Sequence, residues 1–305
     1  MLPPALSKAD IRLLHVFATI VEAKGFSAAQ ITLNVSASSI SRQISELEAR
    51  LSMKLCHRGR GGFRMTPQGE AVYQAAQKVF SALGDFRATI DGTRGQLSGI
   101  LSIAVVDNWI FNTKAPILPA LTAFATSAPQ VEYELYSLAP DDIERSVLDE
   151  KIAIGFGVFH QHKPGLVYET IGKERIGLYC AATHPVALAQ DLDEAERRLN
   201  TAGFVRRAYL DEDMVAPVSR RLASNAVAHQ IEGIAMLILT GKYVGYLPES
   251  YASLWLEKGQ MVPVSSGLHD RETDIKLIRK REHDTNPLLQ AFYKLIRHEV
   301  SHVDG

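Results

Sequence analysis

Hydrophobic positions at the start of the chain recur every three or four residues. Leu13, Leu14, Phe17, Ile20 and Val21 form one such stripe, which predicts an amphipathic helix. Ser7 with Asp10 three residues on reads as a capping box opening that helix, and Gly25 as its stop. Ser27 is placed to cap a short second helix, where Ala28 and Ala29 are small enough to admit a close neighbour. Leu33 closes its apolar face, and Asn34 tolerates the left-handed turn that ends it. Ser36 then caps a third helix whose stripe is Ile40, Ile44, Leu47 and Leu51, at i, i+4, i+7 and i+11. Two helices joined by a tight turn, the second capped and amphipathic, make a helix-turn-helix.

With that stripe inward, Ala37, Ser38, Ser41, Arg42 and Ser45 fall on the free face of the third helix. A helix that only packs carries Lys, Glu and Ala outside; short polar side chains instead permit close approach to a groove, and a helix start favours phosphate. Arg42 is the long donor there, suited to a guanine edge or a phosphate. Next, Leu55–Arg58 and Phe63–Met65 predict a two-stranded wing across a Gly-rich turn, bringing Arg58, Arg60 and Arg64 near a nucleic-acid backbone. Thr66-Pro67 restarts helix. Val72, Ala75, Val79, Leu83, Phe86 and Ile90 then step by three or four, the spacing of a coiled-coil seam, which predicts pairing with a second subunit. The stretch 93–99 (TRGQLSG) reads as a hinge.

From residue 100 the period changes. ILSIAVV (100–106), VEYELYSL (131–138) and IAIGFGVF (152–159) read as strands. Between them lie a helix around Ile117 to Phe124 and one opened by Asp141 or Asp142. A second set begins at RIGLYCA (175–181) and continues through GFV (203–205), a helix about 228–239, YVGYLP (243–248) and a helix from Glu249. DIKLIRK (274–280) and a last helix over 286–302 close the chain, the latter with Leu288, Leu289, Phe292, Leu295 and Ile296 inward. Such alternation predicts a mainly parallel sheet covered on both faces.

Composition is that of a globular protein: 305 residues, 46% hydrophobic and 22% charged, long enough for two or three domains. Two cysteines, Cys56 and Cys180, supply no disulfide framework and fit a reducing compartment. No signal-peptide-like or membrane-spanning apolar run occurs, so a cytoplasmic protein without membrane association is expected. The net charge of −1 conceals an asymmetry: residues 1–66 carry nine Lys/Arg against four Asp/Glu, so the rest of the chain is acidic. A basic head on an acidic body points to a nucleic-acid module joined to something else.

Residues 8–90 resemble the winged helix-turn-helix and linker helix of LysR-type transcriptional regulators. The pattern appears as Ala28-Ala29, Leu33, Ser36, Ile40-Ser41-Arg42-Gln43-Ile44, Leu47-Glu48, Leu51, Leu55, Arg58, Thr66 and Gly69. Where the family commonly has Gln-Pro or Gln-Ser after the cap this chain has Ala37-Ser38, and Ser52 stands for the usual glycine after the recognition helix. The body resembles the family's two-lobed, periplasmic-binding-protein-like effector domain. The expected fold is therefore α/β with an N-terminal all-α winged helix-turn-helix (1–66), a linker and dimerisation helix (67–95) and an effector domain (96–305). Lobe I is expected at about 99–170 and 267–305, and lobe II at about 171–266. The resemblance implies a DNA-binding regulator rather than an enzyme. It implies no cofactor, with double-stranded operator DNA, a small-molecule effector and a homodimer or homotetramer as partners. The DNA-facing set is Ser27, Ser36, Ala37, Ser38, Ser41, Arg42, Arg58, Arg60 and Arg64.

In open α/β sheets ligands sit off the carboxyl ends of strands. The matching positions are Asp107, Asn108, Trp109, Asn112 and Thr113, then Phe156 and Gly157, Arg206 and Arg207, and Asn225. Phe111 is a further candidate wall. An arginine at 206 or 207 would pair the carboxylate of an organic acid, whereas Asp107 favours a polar or cationic effector; both remain open. One motif competes: His298-Glu299-x-x-His302 satisfies the H-E-x-x-H pattern of zinc hydrolases. Only three residues follow His302, too few to supply a third ligand and a surrounding cleft, and the His160/His162 pair sits in a turn beside Pro164.

Overall fold

The computed structural model describes residues 7–57, 62–93, 97–112, 115–209, 222, 224–267, 269–281 and 286–303. Contacts divide the chain into two compact units, residues 1–87 with 149–151, and 88–148 with 152–305.

In the first unit, α1 (Lys8–Glu22), α2 (Phe26–Leu33) and α3 (Ala37–Leu51) precede a two-stranded wing, β1 (Cys56–His57) and β2 (Arg64–Met65), and then α4 (Pro67–Thr93). Leu13, Phe17 and Ile20 of α1 are buried with Ile40, Ile44 and Leu47 of α3, as their spacing predicts. The capping box at Ser7 and Asp10 is complete. The stops differ from expectation. Lys24, at φ 55°, takes the left-handed position that ends α1, and the Gly25 N–H donates to Ile20 O at 3.0 Å. That pairing is a Schellman turn, with Gly25 one place beyond the left-handed residue. Gly25 is also the N-cap of α2, so Ser27 lies inside the first turn and caps nothing. Ser52 (φ 53°) ends α3 in the same way, with Met53 N–H donating to Glu48 O at 3.1 Å.

The second unit is built on one nine-stranded sheet, ordered β4-β3-β5-β11-β6-β9-β7-β8, with β10 also on β6. Its strands are β3 (Ser98–Val105), β4 (Gln130–Ser137), β5 (Ile154–Gly157), β6 (Leu166–Ala181), β7 (Gly203–Arg207), β8 (Ser224–Ala228), β9 (Tyr243–Pro248), β10 (Met261–Pro263) and β11 (Arg271–Lys280). Its helices are α5 (Ile117–Ser127), α6 (Pro140–Leu148), α7 (Leu192–Leu199), α8 (Ile231–Leu239), α9 (Glu249–Leu256) and α10 (Pro287–Val303). Asp141 and Asp142 thus lie in the first turn of α6 rather than before it.

The sheet is mixed, not mainly parallel. β3 pairs in parallel with β4 and β5, and β7 with β8 and β9, but β11 and β6 run antiparallel to each other and to their outer neighbours. The cause is β6, sixteen residues long. Leu166–Ile176 pairs with β11 in the first lobe, and Ile176–Cys180 pairs with β9 in the second. Each half of the sheet is covered on both faces. In the first lobe α5 and α10 bury Phe124, Leu288, Phe292 and Ile296 on one side, and α6 buries Ile143 and Val147 on the other. In the second, α8 and α9 cover one side and Ala195 and Leu199 of α7 the other. Among the described residues, no helix is long and apolar enough to cross a membrane.

Candidate functional sites

The first site is the free face of α3. Ser36, Ala37, Ser38 and Arg42 are exposed and Ser41 is half-buried. Ser36 Oγ accepts from Ser39 N–H at 3.3 Å and lies 3.0 Å from Ser38 Oγ. Gln30 Oε1, reaching across from α2, accepts the Ala37 N–H at 3.1 Å and so ties the two helices at the turn. Arg42 makes no hydrogen bond or ion pair among the described residues, in contrast to Arg50 and Lys54. Arg50 is held by Asp10 and Glu46, each at 2.9 Å, and Lys54 by Glu48 at 2.6 Å. Charge alone would have ranked all three equally; the fold leaves Arg42 available. Exposed Ser27 shares its face of α2 with Ile31, which is 86% exposed. An apolar side chain so placed is not explained by the helix's own packing, and the sequence reading passed over it. Arg64 is exposed on β2 opposite His57, whereas Arg58 and Arg60 lie outside the described residues.

Glu48 holds the wing to α3. It is buried, and its Oε1 accepts the Leu55 N–H at 3.0 Å and the Cys56 N–H at 3.4 Å. Burial opposes its charge, but the Lys54 ammonium and those two N–H groups outweigh it and hold the carboxyl below its ordinary range. At the start of α4, Thr66 Oγ1 accepts the Gly69 N–H at 2.9 Å and donates to Lys54 O at 2.6 Å. A Cβ at Gly69 would stand 1.9 Å from Leu55 O, so only glycine allows this approach.

The second site is a cavity of about 120 Å³ in the other unit. Val106, Asp107, Asn108, Trp109, Asn112, Val158 and His160 line it from the first lobe. Phe204 to Arg207, Tyr209, Ile231, Ile234, Tyr246 and Pro248 line it from the second. The crossing strands β6 and β11 form its floor with Glu174, Ile176, Arg271, Thr273 and Ile275. Asp107 bridges the lobes: one carboxylate oxygen pairs with Arg207 of β7, and the other accepts the Ile231 N–H at 2.6 Å at the start of α8. Arg207 also lies 4.7 Å over the Tyr209 ring. The carboxylate partner foreseen for Arg207 is therefore Asp107 itself. Several buried polar atoms of lining residues have no partner among the described residues: Asn108 Oδ1, Trp109 Nε1, Arg207 Nε and Tyr246 Oη.

The structure thus gathers Asp107, Asn108, Trp109, Asn112, Arg206 and Arg207 around one cavity. Four other candidates do not line it. Phe156 is fully buried in the first lobe's core, 5.8 Å from the Trp109 ring. Gly157 is a packing position, where a Cβ would meet Val106 Cγ1 at 2.8 Å. Asn225 lies exposed within β8, a strand at the edge of the sheet, rather than beyond a strand's carboxyl end. Phe111 packs on Tyr251 of α9 at 5.3 Å rather than walling the cavity. Thr113 lies outside the described residues. Glu174 and Arg271, in contrast, were not foreseen.

The H-E-x-x-H segment lies on α10, with His298 64% exposed and its Nδ1 3.6 Å from Glu299. The His302 side chain lies outside the described residues. Among the described residues no three His, Cys, Asp or Glu side chains gather as a metal site. His162 stacks on Tyr168 with centroids 4.1 Å apart.

A helix-turn-helix unit followed by a two-lobed α/β unit enclosing a polar cavity defines a ligand-responsive DNA-binding protein. Residues 11–70 match the bacterial regulatory helix-turn-helix protein model of the lysR family, and residues 94–301 match the LysR substrate binding domain. The chain belongs to the LysR family of transcriptional regulators. It is 34% identical over 291 residues to the HTH-type transcriptional activator BauR of Pseudomonas aeruginosa, covering 95% of each chain. To the HTH-type transcriptional regulator GltR of Bacillus subtilis it is 27% identical over 296 residues, covering 94% of this chain and 96% of that one. Its fold is similar to that of the LysR family regulator CbnR, with a TM-score of 0.67 at 22% identity, over 95% of this chain and 99% of that one.

Proposed function

We propose that this regulator reads its operator through the start of α3 and takes a small-molecule effector into the cavity between the lobes. The reading rests chiefly on one observation: a cavity floored by both crossing strands and bridged by Asp107 and Arg207, so that occupancy would bear on both lobes at once. A ligand with different affinities for two lobe arrangements shifts their populations, and with them any property that differs between the two. Arg42, exposed and without a partner among the described residues, is assigned to a base edge or phosphate, with Ser36, Ala37, Ser38 and Ser41 permitting close approach. Arg64, with Arg58 and Arg60, is assigned to the phosphate backbone. The similarly folded CbnR has a structure in complex with its target DNA. We assign no enzymatic role, since the spacing of α10 is accounted for by its packed face. We place the regulator in the cytoplasm, acting as a homo-oligomer.

Gel-shift titration at fixed salt tests the DNA assignment. Arg42→Ala is expected to weaken specific binding by about 1–3 kcal/mol while the fold is retained. Unchanged affinity would remove Arg42 from the interface. Arg64→Ala is expected to weaken binding on all sequences alike and to reduce the salt slope by about one unit.

A further inference from the structure

Two carboxylates line the cavity, and they are met differently. Asp107 has the Arg207 guanidinium on one oxygen and the Ile231 N–H on the other. Glu174, near the middle of β6, has only neutral donors: Asn112 Nδ2 at 3.4 Å from the first lobe and Ser250 Oγ at 3.2 Å from α9. Both fall on Oε1, and Oε2 accepts nothing among the described residues. Burial raises the Glu174 pKa and the Ser250 hydrogen bond alone opposes it, so no neighbouring cation supports the charged form. Its charge reaches across to the second lobe. The Tyr209 phenol is pushed up to about 12 by burial and then, against Arg207, by the Asp107 and Glu174 carboxylates. The other charges of the lining are accounted for separately. Arg271 has an interaction of its own and lies 5.1 Å over the Tyr246 ring. Burial, with Arg271 and Lys276, holds His160 below its ordinary range and so neutral. Half-buried Arg206 alternates with Arg207 along β7.

Taking the cavity as the effector site, we infer that its effector carries a primary ammonium on a short aliphatic chain, with the ammonium seated at Glu174. A ligand filling the cavity displaces the water that solvates this carboxylate, and what replaces the water must carry the charge. A neutral hydroxyl leaves the carboxylate uncompensated, and an acid without an amine sets a second negative charge beside it; burying an unmatched charge is costly in both cases. An ammonium has donors to spare for Oε2 and cancels the charge. The walls around it are apolar, from Val106, Ile176, Ile234 and Ile275, and suit a short run of methylenes. The volume of about 120 Å³ holds a molecule of roughly benzene size, which limits the chain to a few carbons. Because burial raises the Glu174 pKa, an ammonium beside it restores full ionisation and releases protons on binding in acidic buffer.

Calorimetry on the full chain tests this with propylammonium and 4-aminobutanoate as amine probes, and propanoate and 1-propanol as ligands of similar size without the amine. At least one amine is expected to bind saturably, with both amine-free ligands weaker by about tenfold or more. Glu174→Gln keeps an acceptor for Asn112 and Ser250 but loses the charge, and is expected to weaken the amine by about tenfold or more. Ile234→Trp, which fills the cavity, should abolish binding, and operator binding without ligand checks that each variant is folded. Propanoate or 1-propanol binding as tightly as the amines, undiminished by Glu174→Gln, would overturn the ammonium assignment and leave the cavity as an effector site of other chemistry. No saturable binding by either amine would overturn it as well. Amine binding abolished by Ile234→Trp yet indifferent to Glu174→Gln would overturn the seat at Glu174 and keep the cavity. Amine binding unaffected by both substitutions would place the ligand elsewhere, and the reading of the cavity would fail with it.

Discussion

Asp107 and Arg207, a hundred positions apart in the chain, form a nearly buried ion pair across the two lobes, their side chains 13% and 9% exposed. The second Asp107 oxygen closes the start of α8 through Ile231 N–H, so one carboxylate fixes a strand end and a helix start in the opposite lobe. Removing it strands the guanidinium. Asp107→Ala is expected to destabilise the effector unit by about 3–5 kcal/mol, the cost of breaking rather than replacing a buried pair. Asp107→Ala combined with Arg207→Leu should recover part of that loss, because the unpaired charge goes with its partner. Urea unfolding of the two variants checks this; equal destabilisation by single and double variants would mean the pair carries little coupling.

Glu48 makes the first unit sensitive to acid. Its folded pKa lies below its ordinary value of 4.5, so its contribution is fully present above the unfolded pKa and is lost as pH falls through the folded one. Glu48→Gln keeps an acceptor for Leu55 and Cys56 but loses the charge facing Lys54. It is expected to lower stability at neutral pH by about 1–3 kcal/mol. The wild-type and variant melting curves should converge as both are acidified from about pH 7 toward pH 3. A difference that stays constant across that range would exclude ionisation as its source.

Gly69 is fixed by a close approach rather than by a turn. Its Cα passes so near Leu55 that an added Cβ would overlap a backbone oxygen at 1.9 Å, and backbone cannot rotate aside as a side chain can. Gly69→Ala should therefore cost about 3 kcal/mol or more, despite alanine's better helix propensity. Gly84, in the same helix with nothing within 4 Å of an added Cβ, is the control. Gly84→Ala is expected to stabilise by up to about 1 kcal/mol. Thermal melts that rank the two alike would contradict the contact.

The helix-turn-helix was legible because its stripes are pure: Phe17, Ile20, Ile40, Ile44 and Leu47 repeat at helical spacing and all are buried. The same periodicity read the strands from Leu101 to Phe156, where both faces are covered. It failed at the middle of β6, where the pattern starts a strand only at Arg175 and leaves Lys173 and Glu174 outside it. A strand that crosses between lobes presents one face to a polar cavity and meets solvent on the other, so its residues are charged just where it is most extended. Period two does survive there as Glu174 and Ile176 against Arg271, Thr273 and Ile275, the five that line the floor. Reading that alternation with charges counted as cavity-facing, instead of as breaks, would have found Glu174 and Arg271. The Asp107–Arg207 pair was hidden for another reason: its members are distant in sequence, and only the fold brings them together.

The seam of α4 divides in two. Toward its start Val72, Tyr73 and Phe80 pack on the helix-turn-helix core, and Ala76 is 1% exposed. The Phe80 ring sits 6.0 Å from that of His15. The first steps of the predicted seam are thus partly used within the chain's own head. Further along, Leu83 is 44% and Phe86 65% exposed, large apolar side chains at helical spacing on one face. Exposed leucine and phenylalanine three residues apart are the seam that a second subunit would cover. Leu83→Asp with Phe86→Asp is expected to abolish self-association while leaving the head folded, because neither residue belongs to its core. Val79→Asp would be the poorer choice, since Val79 is already half-buried in the single chain. Sedimentation velocity of the double variant should give monomer across micromolar concentrations where the wild type assembles. Because paired heads bind two half-sites together, the variant's affinity for a two-half-site operator should fall toward that for a single half-site. Unaltered assembly would mean that the subunits meet through other surfaces and that this face of α4 serves another contact.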